Sequence, residues 1–447
     1  MNLLNIIKIF IERGRLSGSE KKTYGQILAG QQKAFSELRA YAYANSEFYK
    51  KFHKGLFDKP LNELPVLTKK MLMENFDRIV TDKSVKVREL EEFVKNMSLN
   101  DKYKNKYIVN ATGGTTGLRG LFIYDKNEWV KIIASYSRAN DWGGMKVNIF
   151  TRLKIAVVSS KVPWHQSSQV GNTLKSPFIK TLRIDSTETI PEIVWKLNKF
   201  RPKILVGYPS MAFALAKEQL AGRLKINPQI SFCAAEILTP NIKNTVEQAW
   251  QITPFNVYAA TETAGIASEC TMHNGMHLYE DLVIIENVDD NYKPVAPGNF
   301  GTRLLATVLF SRTIPLIRYE ITDSVKIAEK TCSCGLPFKL IDEIQGRTED
   351  TITLEENGSK ISVHPNVFHK VLEDTVAMEW QVIQTGNNAI ELRFQDKISK
   401  TKKEEILQKL YAALDSFRAK PMLTLQDNTE FMRTAIGKKI LIKALKR

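Results

Sequence analysis

From residue 107 onward, short apolar runs rich in β-branched residues alternate with helix-spaced stretches. No other feature of the sequence restricts the fold as much. The runs KIAVVSS, PKILVGYP, QISFCAAE and TPFNVYAAT are strand-like, whereas PEIVWKLNKF and SMAFALAKEQLAGRL have helical spacing. Strands joined through helices cannot pair as hairpins, so they lie parallel with helices covering the sheet. The first hundred residues read mainly as helices, over 26–49 and 87–97, with Pro65 and Thr68 giving stop and cap signals between them. Between residues 277 and 350 strands dominate, LLATVLF, PLIRYEI and SVKIAE being the clearest. The last hundred residues read as a hairpin (ITLEENGSKISV), two strands (WQVIQTG, AIELRFQ) and a helix (KTKKEEILQKLYAALDSFR). The expected fold is α/β. A large domain over 1–346 combines helix-covered sheets with a β-rich subdomain, and a small mobile α+β domain over 347–447 joins it near Gly346 to Asp350.

At 447 residues the chain exceeds what one hydrophobic core organises. Its 64 basic and 48 acidic residues leave a surplus of +16, which favours anionic partners such as nucleotide phosphates, coenzyme A or an acidic carrier protein. The lysines are spread along the whole chain and no groove-entering helix motif occurs, so nucleic acid is not an expected partner. No run approaches the ~20 apolar residues of a membrane span. The opening MNLLNIIKIFIERGR carries Lys8 and Glu12 and lacks a small-residue cleavage site. It is expected to be an amphipathic helix docked on the protein body; a weaker reading attaches it to a membrane surface through Leu3, Ile6, Ile7 and Phe10. Four cysteines are too few for a disulfide framework, so a cytoplasmic location is expected.

The stretch VNATGGTTGLRG concentrates Thr112, Thr115 and Thr116 with Gly113, Gly114 and Gly117 within six positions. Glycines let backbone N–H groups close on an anion and threonine hydroxyls add donors, which suits a polyphosphate. The Gly-Lys-Ser/Thr ending of a Walker loop is missing. The stretch resembles the phosphate loop of the acyl-adenylate-forming enzymes: acyl-coenzyme A synthetases, peptide-synthetase adenylation domains and luciferases. Where that family continues Gly-x-Pro-Lys, this chain has Leu118, Arg119 and Gly120.

Five further strings resemble the same family, in its order. CAAEIL, with Ala235 and Glu236, is similar to the turn that lies against adenine. YAATET is similar to Tyr-Gly-x-Thr-Glu, which implies that Tyr258 stacks on adenine, Thr261 bonds the α-phosphate and Glu262 holds magnesium. IRYEITD resembles Tyr-Arg-Thr-Gly-Asp and implies that Asp323 accepts the ribose hydroxyls. GRTED resembles the hinge motif, assigning Arg347 to the nucleotide and Glu349 to the pivot. RTAIGKK resembles the end of the small domain and puts the adenylation lysine at Lys438, with Lys439 as the neighbouring alternative. Ala259 and Thr322 stand where the family has glycine.

Cys270, His277, Cys332 and Cys334 form a Cys₃His set that suits a closed structural zinc site, with Gly335 allowing the tight turn after the Cys-x-Cys pair. His273, three residues from Cys270, competes as fourth ligand, and Cys233 reads as core. Glu-Cys, Gly-x-His and Glu-Asp followed by Cys-x-Cys is similar to the phenylacetate–coenzyme A ligase branch, which includes relatives associated with capsular polysaccharide biosynthesis. The resemblance implies ATP-dependent conversion of a small carboxylic acid to an acyl-adenylate, with magnesium. Acyl transfer then follows, by default to coenzyme A, alternatively to an acidic carrier protein or an amine; a homodimer is among the assemblies it allows. It also implies that His165 gates the acyl site, with Trp164 and Tyr208 as pocket walls.

Overall fold

The structure is a computed structural model of the 447-residue chain. It describes residues 3–112, 119–145, 153–173, 179–347, 350–356, 358–363, 367–368, 371–372, 379–434 and 438–445, with backbone alone at 3–6 and 347.

Two strands, β1 (Ile108–Ala111) and β2 (Leu121–Tyr124), pair antiparallel as a hairpin. Five more, β3 (Leu153–Ser159), β4 (Ile179–Asp185), β5 (Ile204–Gly207), β6 (Ile230–Ala234) and β7 (Phe255–Ala260), pair parallel in the spatial order β4-β3-β5-β6-β7. Helices Gln166–Thr173, Ile190–Phe200, Pro209–Leu220 and Pro240–Trp250 fall between them in sequence. Each crossover has local cause. Helix Ile190–Phe200 starts with a Thr189–Glu192 capping box and stops at Arg201, which turns into the left-handed region at φ 52°. Helix Pro209–Leu220 starts with proline in its first turn, where the missing N–H costs nothing. Ile193, Leu197, Leu215, Ala216, Ile242 and Val246 pack these helices into one core with β3 and β5.

Chain order reverses between β3 and β5, because β4 lies on one side of β3 and β5 on the other. In open parallel sheets, the crevice beyond the carboxyl ends of the strands at such a reversal is where ligands bind. The two strands approach closely there: a Cβ on Gly207 would stand 3.0 Å from the Val158 carbonyl oxygen.

Past β7 the sheet continues antiparallel through β8 (Ala264–Glu269) and β9 (Met276–Leu278) to a later pair, β14 and β13. A three-stranded sheet of β10 (Val283–Val288), β11 (Arg303–Val308) and β12 (Tyr319–Ile321) intervenes before β13 (Asp323–Ile327) and β14 (Leu340–Arg347) complete the nine-stranded sheet. PLIRYEI, expected as one strand, is strand only over its last three residues. Arg318 adopts φ 50° and points its buried guanidinium at Glu286 and the Leu64 carbonyl, which breaks the extended run. The N-terminal helices are integral to this body: the Tyr49 phenol donates to the Pro315 carbonyl at 2.9 Å, and the Leu67 N–H to the Arg318 carbonyl at 3.0 Å.

Helix Leu3–Ser19 docks through Ile9 and Leu16, with Arg13 paired to Asp141 at 2.6 Å and Glu12 to Lys131 at 3.1 Å. Ile7 and Phe10 face outward; the side chains of Leu3 and Ile6 lie outside the described set. No helix among the described residues is long and apolar enough to cross a membrane.

Beyond β14 come the hairpin β15 (Ile352–Glu356) and β16 (Ser359–Val363), then a sheet of β17 (Trp380–Gly386), β18 (Ala389–Phe394), β19 (Met422–Gln426) and β20 (Ile442–Lys443) in the order β19-β18-β17-β20. Helix Lys400–Asp415 buries Ile406, Leu410 and Leu414 on these strands, a core separate from those of the preceding residues.

Candidate active site

The site is built at the chain reversal. The β1–β2 hairpin joins Thr112 to Gly120, the residues on either side of the threonine–glycine segment. The Gly120 N–H donates to Thr112 Oγ1 at 2.8 Å and the Thr112 N–H to the Gly120 carbonyl at 2.9 Å. Gly113, Gly114, Thr115, Thr116 and Gly117 lie outside the described residues. Past the clasp, the Arg119 guanidinium stacks on the Trp164 ring at 4.5 Å, and the Ala111 N–H donates to the Trp164 carbonyl at 3.0 Å.

Thr261 and Glu262 occupy a three-residue turn joining β7 and β8, closed by the Ala260–Ala264 pair with Ala264 at φ 64°. Two side chains fix this turn from below. The buried Tyr124 phenol donates to the Thr261 carbonyl at 2.6 Å, and Gln166 Nε2 donates to the same oxygen at 3.3 Å. Tyr319 offers its phenol to Glu262 Oε1 at 3.4 Å. Three residues before the turn, the Tyr258 phenol donates to Asp323 Oδ2 at 2.5 Å, so groups 65 positions apart meet at one edge of the crevice.

On the other side, Ala235 follows β6 in the left-handed region at φ 70°, a conformation unfavourable for a residue with a Cβ. The next residue, Glu236, accepts the Ser210 N–H at 3.0 Å on one oxygen and the Lys439 N–H at 2.7 Å on the other. The C-terminal segment is thereby drawn onto the large sheet.

Lys438 and Lys439 then part company. The Lys439 ammonium is buried in an ion pair with Glu379. Lys438 extends over the Tyr208 ring, 5.8 Å from its centroid. Its charge reaches His165: burial, with Lys438 adding to it, pushes that imidazole down to about 3, so it is neutral near pH 7. His165 Nδ1 lies 2.8 Å from Ser167 Oγ. Tyr208, pushed up to about 12 mainly by burial, accepts the Ser160 N–H at 3.1 Å and so links the ends of β3 and β5. The side chain of Arg347 and all of Glu349 lie outside the described residues.

A second cluster sits at the end of β8 far from the β7–β8 turn. The donor atoms of Cys270, His277, Cys332 and Cys334 all lie within 4.8 Å of one another. Cys270 Sγ is 3.8 Å from Cys332 Sγ, and Cys334 Sγ is 3.2 Å from His277 Nε2. A tetrahedron with Zn–S near 2.3 Å and Zn–N near 2.0 Å has edges of about 3.3–3.8 Å, so the spacing fits that ion. Gly335 takes φ 82° after the thiol pair. His273 faces away, with Nδ1 3.0 Å from Glu269 and its ring 4.4 Å from that of Phe255, which leaves His277 as the fourth group. Burial pushes the Cys270 thiol up to about 12, and the adjacent thiols push it the same way. A bound cation would offset that penalty. Cys233 is buried in the core.

No family model matches the chain. It is 26% identical over 380 residues to Protein CapK from Staphylococcus aureus, an alignment covering 79% of this chain and 75% of that protein. It is 25% identical over 275 residues to phenylacetate–coenzyme A ligase from Thermus thermophilus, 59% of each chain. These likenesses bear out the resemblance to the acyl-adenylate-forming superfamily, in its phenylacetate–coenzyme A ligase and CapK branch. Among solved structures, 2-hydroxyisobutyryl-CoA ligase in its postadenylation state shares the fold of this chain. The TM-score is 0.71 at 16% identity, over 95% of this chain and 90% of that one. The same ligase in its thioesterification state gives 0.57, over 95% and 91%.

The structure adds residues that the sequence strings did not single out. Tyr124, Gln166 and Tyr319 hold the Thr261–Glu262 turn, and Glu379 holds Lys439. Tyr319 was within reach, standing four residues before Asp323 in a recognised string. The others carry no local pattern.

Proposed function

We propose that this chain uses ATP to activate a small carboxylic acid and then passes the acyl group to the thiol of coenzyme A. One observation carries the reading. Tyr258 meets Asp323 three residues before the Thr261–Glu262 turn, Tyr124 of the β1–β2 hairpin and Gln166 next to His165 both donate to the Thr261 carbonyl, and Lys438 reaches Tyr208 and His165.

In the first step a carboxylate oxygen attacks the α-phosphorus and the bond to pyrophosphate breaks. Tyr258 supplies a flat face for adenine, Asp323 an acceptor for the ribose hydroxyls, and the threonine–glycine loop from Thr112 to Gly117 donors for the phosphates. Arg347 adds a nucleotide contact, and Ala235 lines the adenine side. Lys438 meets negative charge on both the entering carboxylate and the α-phosphate as the transition state forms. Glu262, with Thr261 beside it, would hold magnesium, which neutralises phosphate charge when bound. A neutral His165 beside the Lys438 ammonium can contact the acyl group without adding a second cation. In the second step the small domain pivots at Glu349, and the thiol displaces AMP from the activated carbonyl.

The Cys270–His277–Cys332–Cys334 set would hold structural zinc, tying the segment after β8 to the loop before β14. Four free cysteines suit a reducing compartment, and we place the protein in the cytoplasm on that ground.

Carboxylate-dependent pyrophosphate exchange over a panel of aryl, fatty and amino acids tests the first step, with Lys438→Ala as control. Exchange with at least one acid, abolished in the variant, is the expected result; none with any acid would refute it. Adding coenzyme A to the accepted acid then separates thioester formation from the alternative acceptors.

A further inference from the structure

We infer that Glu236 is a positioning residue that latches the C-terminal segment in the adenylating arrangement and releases it for the second step. The inference rests on the adenylation reading above but gives Glu236 a duty other than nucleotide contact.

Both carboxylate oxygens of Glu236 are engaged by main-chain donors from opposite sides of the crevice. Ser210 N–H belongs to the first turn of helix Pro209–Leu220, on the large sheet. Lys439 N–H belongs to the segment that carries Lys438. A carboxylate at a helix N-terminus is held by orphan N–H groups and the helix dipole, so Glu236 is fixed from the large-domain side. Its second oxygen is then a ready acceptor for one incoming N–H, and a charge-assisted bond at 2.7 Å is among the stronger single contacts available.

The neighbouring groups make this contact decide where Lys438 points. The Lys439 side chain is turned away into its buried pair with Glu379, and the Lys438 N–H donates to Thr434 Oγ1 at 3.1 Å. With the segment braced on the C-terminal side and its backbone gripped at Lys439, the Lys438 side chain extends toward Tyr208 and His165. An ion pair across the same boundary, Lys217 with Asp396 at 2.7 Å, is partly exposed and contributes little. Among the described contacts the latch depends mainly on one carboxylate, and rotation of the small domain breaks it without uncovering an unpaired buried charge, since Glu236 is half-buried and keeps its bond to Ser210.

The test compares wild type with Glu236→Gln, which keeps the shape but loses the charge, and with Glu236→Ala. A dye pair on introduced cysteines, one on each domain, reports docking of the two parts by energy transfer in the absence of substrates. Isothermal titration reports ATP affinity, and with an accepted acid, pyrophosphate exchange and thioester formation from supplied acyl-adenylate report the two half-reactions separately. The latch predicts a smaller docked fraction in both variants and ATP affinity within about twofold of wild type. It also predicts exchange lowered by about tenfold or more, with thioester formation from the adenylate unchanged or faster. An unchanged docked fraction overturns it. So does ATP affinity that falls in parallel with exchange, which would make Glu236 a nucleotide ligand. Absence of exchange in wild type with every acid would count against the adenylation reading, and the docking measurement would still decide the latch.

Discussion

The two walls of the crevice are held in different ways. The wall made by Tyr258, Thr261, Glu262 and Asp323 is fastened within the large body: Tyr258 to Asp323 inside the nine-stranded sheet, and the Thr261 carbonyl to Tyr124 of the β1–β2 hairpin and Gln166 of helix Gln166–Thr173. The wall bearing Lys438 reaches the same place through a separate small core, and its described contacts across the boundary include one bond to Glu236 and the Lys217–Asp396 pair. On the proposed reading, the first wall keeps a fixed geometry for binding and the second delivers and withdraws a charge. A reaction whose two steps need different groups at one carbonyl gains from that division, because the nucleotide can stay bound while the lysine leaves.

If that division holds, damage to the movable wall removes chemistry and spares binding. Lys438→Ala should lower pyrophosphate exchange by about a hundredfold or more, corresponding to ~3 kcal/mol or more of transition-state stabilisation, with ATP affinity nearly unchanged in titration calorimetry. Damage to the fixed wall should do the opposite. Asp323→Ala removes both the ribose acceptor and the partner of the Tyr258 phenol, and ATP affinity should fall about tenfold or more, with exchange at saturating ATP much less affected.

Support of the fixed wall from behind can be broken separately. The thiol set joins the end of β8 to the loop before β14, so Cys332→Ser or chelation should lower the melting temperature by several degrees and weaken ATP binding. Metal analysis of the untreated protein should give about one zinc per chain. A value near zero after zinc-supplemented expression would remove this support from the comparison.

The pH dependence carries a smaller effect. Burial holds His165 at about 3 and His53 at about 4, below the ordinary value of 6.5. For such a group the unfolded chain binds more protons below pH 6.5. Stability is therefore full above that value and lost as pH falls from about 6.5 through the folded values. Urea unfolding at pH 5 and pH 7 should show His165→Gln losing less stability on acidification than wild type, by up to ~2 kcal/mol. The smallest effect belongs to Lys217→Ala. A partly exposed pair is worth ~0.5 kcal/mol, so exchange should change less than twofold.

The same contrast governs how much could be read without coordinates. The parallel layer was legible because β3, β5, β6 and β7 are short apolar runs with helices between them, and such a pattern has few folded solutions. Tyr258, Glu262, Asp323 and Lys438 were legible because each sits in a short string with its own chemistry. The Cys₃His set was legible from ligand types alone, although choosing His277 over His273 needed the turn of β9, since both lie close to Cys270 in sequence. Tyr124, Gln166 and Glu379 were not legible. They act through contacts 60 or more positions away, and nothing in their own neighbourhoods marks them. The bond from the Lys439 N–H to Glu236 was not legible, because it joins residues 203 positions apart and exists only in the folded arrangement. PLIRYEI was misread as a full strand because the burial of the Arg318 guanidinium overrides the strand propensity of its neighbours.

A crystal structure with a non-hydrolysable acyl-adenylate analogue bears most directly on the central claim, that groups from both walls meet on one nucleotide. The account predicts adenine on Tyr258, the ribose hydroxyls on Asp323, and the Lys438 ammonium within about 4 Å of the group that replaces the α-phosphate. An analogue bound elsewhere, or one in this crevice with Asp323 and Lys438 both turned away from it, would contradict it.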